Sequence, residues 1–325
     1  MSFRYLLAGL IALGALRAPL ACDSCKCTAG DPARGGASGI TAGHEHHEDY
    51  RWSVDASYHY KNWDRIKPSH ALAINDTAGR HTHAVIDEWT ASIRVGYAVT
   101  RDVELGLTQG YRHVRQQNAT DPLFNGAHET SNGIDDLRFD FRWRFKRQTE
   151  GGWPVDLALF GEGLFPTGQV HERGANGARI EAEHQPGTGG FAGTLGLAVS
   201  RGWNRWGASG SVTYTHKTEG TQEYKPGDVL RVSASGSYRV SPESWGTKIW
   251  VNLGVQALFE NKAQEDGEKD PNHGGQTIFV IPGLAVQPLD RLIFSASLQQ
   301  PVYQQLNGYH QEEDWALAFN TRVRF

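Results

Sequence analysis

The segment Asp136–Phe145 reads DLRFDFRWRF, and this stretch decides the fold class. Its residues alternate between apolar and charged without a break: Leu137, Phe139, Phe141, Trp143 and Phe145 against Asp136, Arg138, Asp140, Arg142 and Arg144. Successive side chains of a β-strand point to opposite faces, so this strand has one apolar face and one charged face. That combination is typical of a membrane barrel, with lipid against the outer face and a polar interior.

The C-terminal segment DWALAFNTRVRF (314–325) repeats the alternation. Its large apolar residues share one parity, on which Thr321 is the only polar residue, and Asn320 and the two arginines share the other: Trp315, Leu317, Phe319, Val323 and Phe325 against Asn320, Arg322 and Arg324. A final strand that ends on an aromatic residue again favours a membrane barrel over a soluble sandwich.

The same pattern predicts about twelve strands, each long enough to cross a bilayer at a tilt. They cover approximately 50–61, 86–98, 103–114, 134–146, 154–165, 189–200, 206–216, 229–240, 247–259, 277–287, 291–300 and 314–325. Short and long connections alternate along the chain. We therefore predict an all-β fold, a closed antiparallel transmembrane β-barrel with short periplasmic turns, long external loops and both termini in the periplasm. Pro282 predicts an interruption of one strand ladder.

Bulk composition agrees with this fold class. The mean hydropathy is −0.50, as expected when half of each strand faces polar surroundings. No run of 18 apolar residues follows residue 21, so no membrane helix is predicted. A net charge of −4 gives no reason to expect nucleic-acid binding. Aromatic residues near the strand ends are expected at the lipid headgroups: Trp52, Tyr60, Trp89, Tyr97, Tyr111, Trp143, Tyr214, Tyr238 and Trp315.

The N-terminal region predicts export. Residues 1–21 have a basic start, an apolar stretch and small residues near Ala21, which indicates a signal peptide. Lipid attachment at Cys22 is an alternative to ordinary cleavage. Residues 22–49 form a Cys/His-rich periplasmic extension, and 50–325 form the barrel. The expected location is the outer membrane of a Gram-negative bacterium, with lipid and the barrel-assembly machinery as partners.

The polar parity supplies the candidate pore-lining residues: Glu88, Arg94, Glu104, Arg112, Asp136, Arg138, Asp140, Arg142, Glu162 and Arg322. A barrel of twelve strands lies between small filled barrels and large open porins. Two interpretations therefore stay open. These residues form a charged constriction that selects small polar or anionic solutes, or they form a salt-bridged network that closes and stiffens the interior.

The extension is a second candidate site. Three cysteines and three histidines fall within 28 residues: Cys22, Cys25, Cys27, His44, His46 and His47. Thiolates and imidazoles suit copper(I) or zinc. A disulfide between two of the cysteines, or no specific role, explains the same residues. No other cofactor is expected.

Nothing in the spacing of Ser, His and Asp residues selects a catalytic triad, and no Gly-x-Ser-x-Gly sequence occurs. We therefore predict that the protein is not an enzyme.

Three stretches resemble a known family: GLFPTG (163–168), PGTGGFAGTLGLAVSR (186–201) and IFVIPGLAVQPLDRLIFSASLQQPV (278–302). They are similar to the phenol-degradation (MetA-pathway) family of outer-membrane transporters. The resemblance implies a passive outer-membrane channel, in some members linked to uptake of aromatic compounds. The predicted function is passive passage of small solutes. Metal handling by the extension, or a structural role beside a periplasmic redox protein, is the alternative.

Overall fold

The computed structural model describes residues 50–63, 85–117, 128–147, 155–174, 177–308 and 311–325. The predicted signal peptide, the Cys/His extension and its six candidate metal ligands lie outside these residues. The strands are β1 Trp52–Trp63, β2 Val85–Ala98, β3 Val103–Gln117, β4 His128–Ile134, β5 Leu137–Lys146, β6 Asp156–Phe165, β7 Ala192–Trp203, β8 Trp206–Lys217, β9 Tyr224–Lys225, β10 Val229–Arg239, β11 Lys248–Glu260, β12 Gln264–Glu265, β13 Glu268–Lys269, β14 Gly275–Leu289, β15 Leu292–Leu306 and β16 Glu313–Arg324.

One antiparallel sheet closes on itself as a barrel. Its order is β2-β1-β16-β15-β14-β11-β10-β8-β7-β6-β5-β3, and β3 pairs back onto β2. Strand β4 also pairs with β3 and continues the line of β5. The barrel wall therefore consists of twelve strand positions, as predicted, with β4 and β5 sharing one of them; we call each position a stave. Closure removes the exposed sheet edges that would invite aggregation.

The fourth stave differs from the predicted segment 134–146. It begins at His128 and is broken at Asp135 and Asp136, between β4 and β5. The Asp136 backbone N–H donates to its neighbour Asp135 Oδ1 at 2.8 Å, and the Asp136 carboxylate accepts hydrogen bonds from a loop. Two adjacent aspartates that bond locally compete with the strand ladder, which explains the break.

The predicted interruption at Pro282 is present. The β14–β15 ladder passes from Val280–Gln300 to Gly283–Ser297 and skips Ile281 and Pro282. Proline has no N–H to give to the ladder, and the pairing on its other side, with Leu253 of β11, is kept. Strand β15 also extends to Leu306, six residues beyond the predicted end.

The outer surface of the barrel is apolar and the inner surface is polar. Every barrel strand exposes at least one large hydrophobic side chain, for example Ile93, Leu195, Leu253 and Phe319. Most of the buried side chains are instead charged or hydrogen-bonding. This inversion of the soluble-protein pattern is stable only where lipid covers the outside. Among the described residues no helix is long and apolar enough to cross a membrane.

Aromatic residues gather near both ends of the staves. At the end with the short turns, Trp52 packs on Tyr97 and Trp206 on Tyr238, each pair with ring centroids 4.6 Å apart. Near the other end Trp89 packs between Tyr58 and Tyr111, at 5.9 Å from each. Two separate rings of amphipathic side chains match the two headgroup layers of a bilayer.

The two ends of the barrel differ. The short-turn end carries the connections 99–102, 204–205 and 290–291. The long-loop end carries longer segments, including residues 177–188, which we call the inserted loop. Gln185 of this loop is fully buried, and inward-facing Arg112 of β3 donates to the backbone oxygens of Glu183 and Gln185 at 3.0 and 2.9 Å. The inserted loop is thereby held across the barrel interior.

Candidate pore interior

Charged residues concentrate on the inner faces of β16, β1, β2, β3 and β5, which we call the ionic wall. Arg94 of β2 is buried at its centre and contacts three carboxylates on three strands. Its Nη2 lies 2.7 Å from Asp140, its Nη1 lies 2.8 Å from Glu104, and the same Nη1 lies 3.3 Å from Asp55. The guanidinium group of Arg carries five N–H donors in a planar fork, so one Arg can contact several carboxylates at once.

The network extends from Asp55 to the C-terminal strand. Arg322 of β16 makes a two-pronged contact with Asp55, with Nη2 donating to Oδ2 at 3.0 Å. Arg142 of β5 lies within electrostatic range of Glu104 and Arg322. These residues therefore form one connected network across neighbouring strands, of the kind the closed-interior interpretation expected.

A second set of ion pairs lies nearer the long-loop end. Glu88 of β2 pairs with Arg112 of β3 at 2.6 Å, and fully buried Lys61 of β1 pairs with Glu313 of β16 at 2.8 Å. Of these four residues, Lys61 and Glu313 were not selected from the sequence. The parity of β1 already placed Lys61 on the polar face. Glu313 was not predicted to line the interior, because a register shift beside Trp63 reverses the face of the sheet on which it lies.

Three of the predicted pore residues have other surroundings. Arg138 is buried against Asp135 within its own stave. The Asp136 carboxylate accepts from the backbone of Gly168 and Thr188 at 2.8 and 2.7 Å, so it anchors a loop. Glu162 is buried on β6, opposite Thr194 of β7 in the strand register. The ten candidates thus divide between the ionic wall and its margins.

The opposite side of the interior has a different chemistry. The hydroxyl wall, as we call it, comprises β7, β8, β10 and β11. Its inward side chains are mostly Ser and Thr on β7, β8 and β10, and β11 adds Gln256. Lys217 of β8 and Glu260 of β11 form an ion pair at its long-loop end, 3.5 Å apart. Hydroxyls pair across strands: Thr194 with Thr215 at 2.8 Å, and Ser211 with Ser233 at 2.8 Å. In the ring of twelve staves β2 and β10 stand six places apart, so the two walls face each other.

Some polar atoms of this interior lack protein partners among the described residues. Gln256 of β11 is fully buried, yet neither its Oε1 nor its Nε2 has a hydrogen bond. Arg231 of β10, 4% exposed, has no partner for Nε and Nη2, and both amide atoms of Asn320 on β16 are likewise unpaired. Buried polar groups without a protein partner normally bind water, so these atoms indicate a hydrated interior.

An apolar patch interrupts the polar surface towards the long-loop end. It consists of inward-facing side chains from four strands: Val229, Leu258, Phe279, Ile281 and Ala316. Any solute that passes along the hydroxyl wall meets this patch as well as hydroxyls. The alternation of apolar and polar residues did not predict this patch, because β14 is apolar on both faces.

One ionic cluster closes a turn at the short-turn end. Asp102 accepts hydrogen bonds from Arg147 Nη2 at 2.7 Å and from Arg144 Nε at 3.0 Å. The hydrogen bond from Arg147, with that from Arg144 and both positive charges, lowers the pKa of Asp102 below its ordinary value. This carboxylate lies outside the membrane-spanning strands.

Comparison with solved structures gives the same fold. The chain resembles an outer membrane channel from Pseudomonas putida F1 with a TM-score of 0.58 and 13% identity, over 87% of this chain and all of that one. It aligns with the β domain of the Bordetella autotransporter BrkA (TM-score 0.47, 12% identity, 85% and 100% coverage) and with the CymD monoaromatic hydrocarbon channel (0.44, 8%, 85% and 89%). The chain matches no curated protein.

A closed twelve-stave barrel with a lipid-facing exterior and a polar interior defines the class: an outer-membrane β-barrel. The family model described as "Putative MetA-pathway of phenol degradation" matches residues 114–306, more than half of the sequence. The chain belongs to this family, which confirms the resemblance seen in the sequence.

Proposed function

We propose that this protein is an outer-membrane channel for the passive passage of small polar solutes. The observation that carries the proposal is the hydroxyl wall, where atoms of Gln256 and Arg231 have no hydrogen-bond partner among the described residues. Each buried polar group without a partner costs about 1–3 kcal/mol. Water beside the hydroxyl wall removes that cost, and a column of water is the medium through which a solute passes.

The ionic wall supports the same function in a different way. The contacts of Arg94 join four strands, and the Arg322–Asp55 pair adds β16 as a fifth. These paired groups hold the five strands in one register and leave less of the interior open on that side. In this proposal the charged residues of the ionic wall form the salt-bridged network, and the hydroxyl wall lines the open side of the interior. Family membership and the fold shared with an outer membrane channel support a transport role.

Several further features belong to this proposal. The short-turn end and both termini face the periplasm, as is usual for barrels with long external loops. The barrel-assembly machinery inserts the protein, and the protein has no catalytic role. Metal capture by Cys22, Cys25, Cys27, His44, His46 and His47 stays a prediction.

Planar-bilayer recording of the purified protein tests the channel. We expect unitary conductance steps from the wild-type protein. In Gln256→Trp, a large side chain enters the interior from the hydroxyl wall, and we expect conductance to fall to roughly half or less. The matched control is Val255→Trp, because Val255 precedes Gln256 and faces outwards.

We expect Val255→Trp to conduct like the wild type. A bilayer that stays silent with correctly folded protein would overturn the proposal, and so would equal conductance in the two tryptophan variants. Heat-modifiable migration in detergent gels checks the folding of each variant.

A further inference from the structure

Imidazole and carboxylate groups from two loops meet at the long-loop end of the interior. Glu181, Glu183 and His184 belong to the inserted loop, and one donor atom from each lies within 4.8 Å of the others. His273 belongs to the loop between β13 and β14, and its Nε2 lies 3.0 Å from Glu183 Oε2. Both histidines are buried. None of these four residues belongs to the sequence of the Cys/His extension (22–49).

The separations between donor atoms fit a small divalent ion. Donors about 2.1 Å from a tetrahedral zinc ion stand about 3.4 Å from each other. Here Glu181 Oε2 lies 3.5 Å from His184 Nδ1, and Glu183 Oε1 lies 3.9 Å from His184 Nε2, so each ring nitrogen of His184, only one of which can bind a given ion, has a glutamate near it. The contact between Glu183 and His273 is 3.0 Å. Glu183 belongs to this group of three and also contacts His273, so it joins the four residues into one candidate site.

The surroundings of His273 are those of a metal-ligating histidine. Asp270 Oδ2 lies 2.6 Å from His273 Nδ1. A carboxylate at Nδ1 fixes the ring so that Nε2 carries the lone pair, and it raises the basicity of Nε2. Nε2 points towards Glu183, whose Oε2 also accepts a hydrogen bond from Tyr224 at 3.1 Å. The lone pair of Nε2 and a carboxylate oxygen repel each other unless a cation, metal or proton, lies between them.

We propose that Glu181, Glu183, His184 and His273 bind one first-row divalent metal ion of the zinc class. Two imidazoles and two carboxylates suit zinc, cobalt(II) or nickel better than calcium or magnesium, which prefer oxygen donors. Asp270 acts as a positioning residue for His273. A bound ion ties the inserted loop to the loop that carries His273, and so fixes the two segments that cross the long-loop end.

Calorimetric titration of the full mature chain in detergent with zinc tests this site. The background variant has Cys22, Cys25 and Cys27 changed to Ser, and His44, His46 and His47 changed to Ala, which removes the competing ligands. We expect one ion per chain. Cobalt(II) should give visible d–d absorption without the charge-transfer band that thiolate ligands add.

Single changes in this background identify the ligands. We expect His273→Ala and Glu183→Gln to weaken zinc binding by about 100-fold or more, and Asp270→Asn by about 10-fold, the range known for outer-shell partners. The control is His216→Ala, because His216 also lies beside an aspartate, Asp228, but is exposed on the outer face.

Zinc binding that is absent from the background variant would overturn the site, since a proton on His273 would then satisfy the cluster. Binding unchanged in both His273→Ala and Glu183→Gln would also overturn it. Glu183→Gln keeps the shape of the side chain, so its zinc binding still tests the site if His273→Ala fails to fold. Because binding is measured without conductance, failure here is distinct from failure of the channel proposal.

Discussion

The ionic wall and the hydroxyl wall occupy opposite sides of one barrel and differ in how most of their polar groups are satisfied. On the ionic wall, Arg94 alone contacts Asp55, Glu104 and Asp140. On the hydroxyl wall, Gln256 and two atoms of Arg231 have no partner among the described residues. Paired groups bind the protein to itself, whereas unpaired groups are available to water and solute. The difference indicates that one wall maintains the barrel and the other meets what passes through it.

The largest expected effect comes from removing one buried guanidinium on each wall. Arg94→Met leaves three carboxylates without their common partner, and breaking a buried ion pair costs about 3–5 kcal/mol. Arg231→Met removes a charge whose Nε and Nη2 have no partner in the described part of the chain, so we expect a change of at most about 1 kcal/mol. Urea unfolding in lipid vesicles measures both free energies.

Arg201→Met is the control for that pair, because Arg201 is exposed on the outer face beside Trp203. We expect it to leave the free energy of unfolding nearly unchanged. Equal losses in Arg94→Met and Arg231→Met would remove the distinction between the walls.

A double-mutant cycle measures the same difference at the level of a single contact. For Asp55→Asn and Arg322→Gln on the ionic wall, we expect a coupling free energy of about 2 kcal/mol, because both groups are buried and hydrogen-bonded to each other. For Ser209→Ala and Ser235→Ala on the hydroxyl wall, whose oxygens lie 3.3 Å apart, we expect about 0.5 kcal/mol or less. A serine coupling as large as the ionic one would contradict the comparison.

The alternation of residues was enough to predict the staves but not the contacts between their side chains. Segments such as Asp136–Phe145 and 314–325 specify strand and face, because the period of a strand is two. The partner of Arg94 depends on register and on the closure of the barrel. Asp140 lies two strands away from it, on β5, and no local pattern encodes that distance.

The loop residues were the least predictable. Glu183 and His273 are 90 positions apart, and each lies in a connection without periodicity. Their meeting depends on the path of the inserted loop, which Arg112 holds by two backbone oxygens. From the sequence, the histidines of the extension were predicted as metal ligands instead, because they are close together in the chain.

Ion selectivity tests which wall the permeant ions meet. Arg231→Gln removes a positive charge from the hydroxyl wall, and we expect the cation-to-anion permeability ratio to rise by about threefold. Arg138→Gln removes a charge that is buried against Asp135, so we expect a smaller shift. Reversal potentials in a salt gradient measure both ratios. A larger shift from Arg138→Gln would place the permeant path on the ionic wall.

The smallest effect concerns the edge of the ionic wall, where Asp102 closes the turn between β2 and β3. Its pKa is lowered by hydrogen bonds from Arg147 and Arg144, so folding favours the ionised form. The resulting stability is present above the unfolded pKa of about 3.9 and is lost as pH falls through the lower folded pKa. The Asp102 side chain is 30% exposed, and solvent screening limits the contribution to about 0.5–1 kcal/mol.

Asp102→Asn should therefore be less stable than wild type by this amount at pH 7, and the gap should close below about pH 4. Asp290→Asn, in another short turn, is the control, because its carboxylate is 63% exposed and lies 3.6 Å from Lys248. An Asp102→Asn gap that persists unchanged in acid would mean that the charge of Asp102 does not stabilise the turn, and that the charge network ends at the membrane boundary.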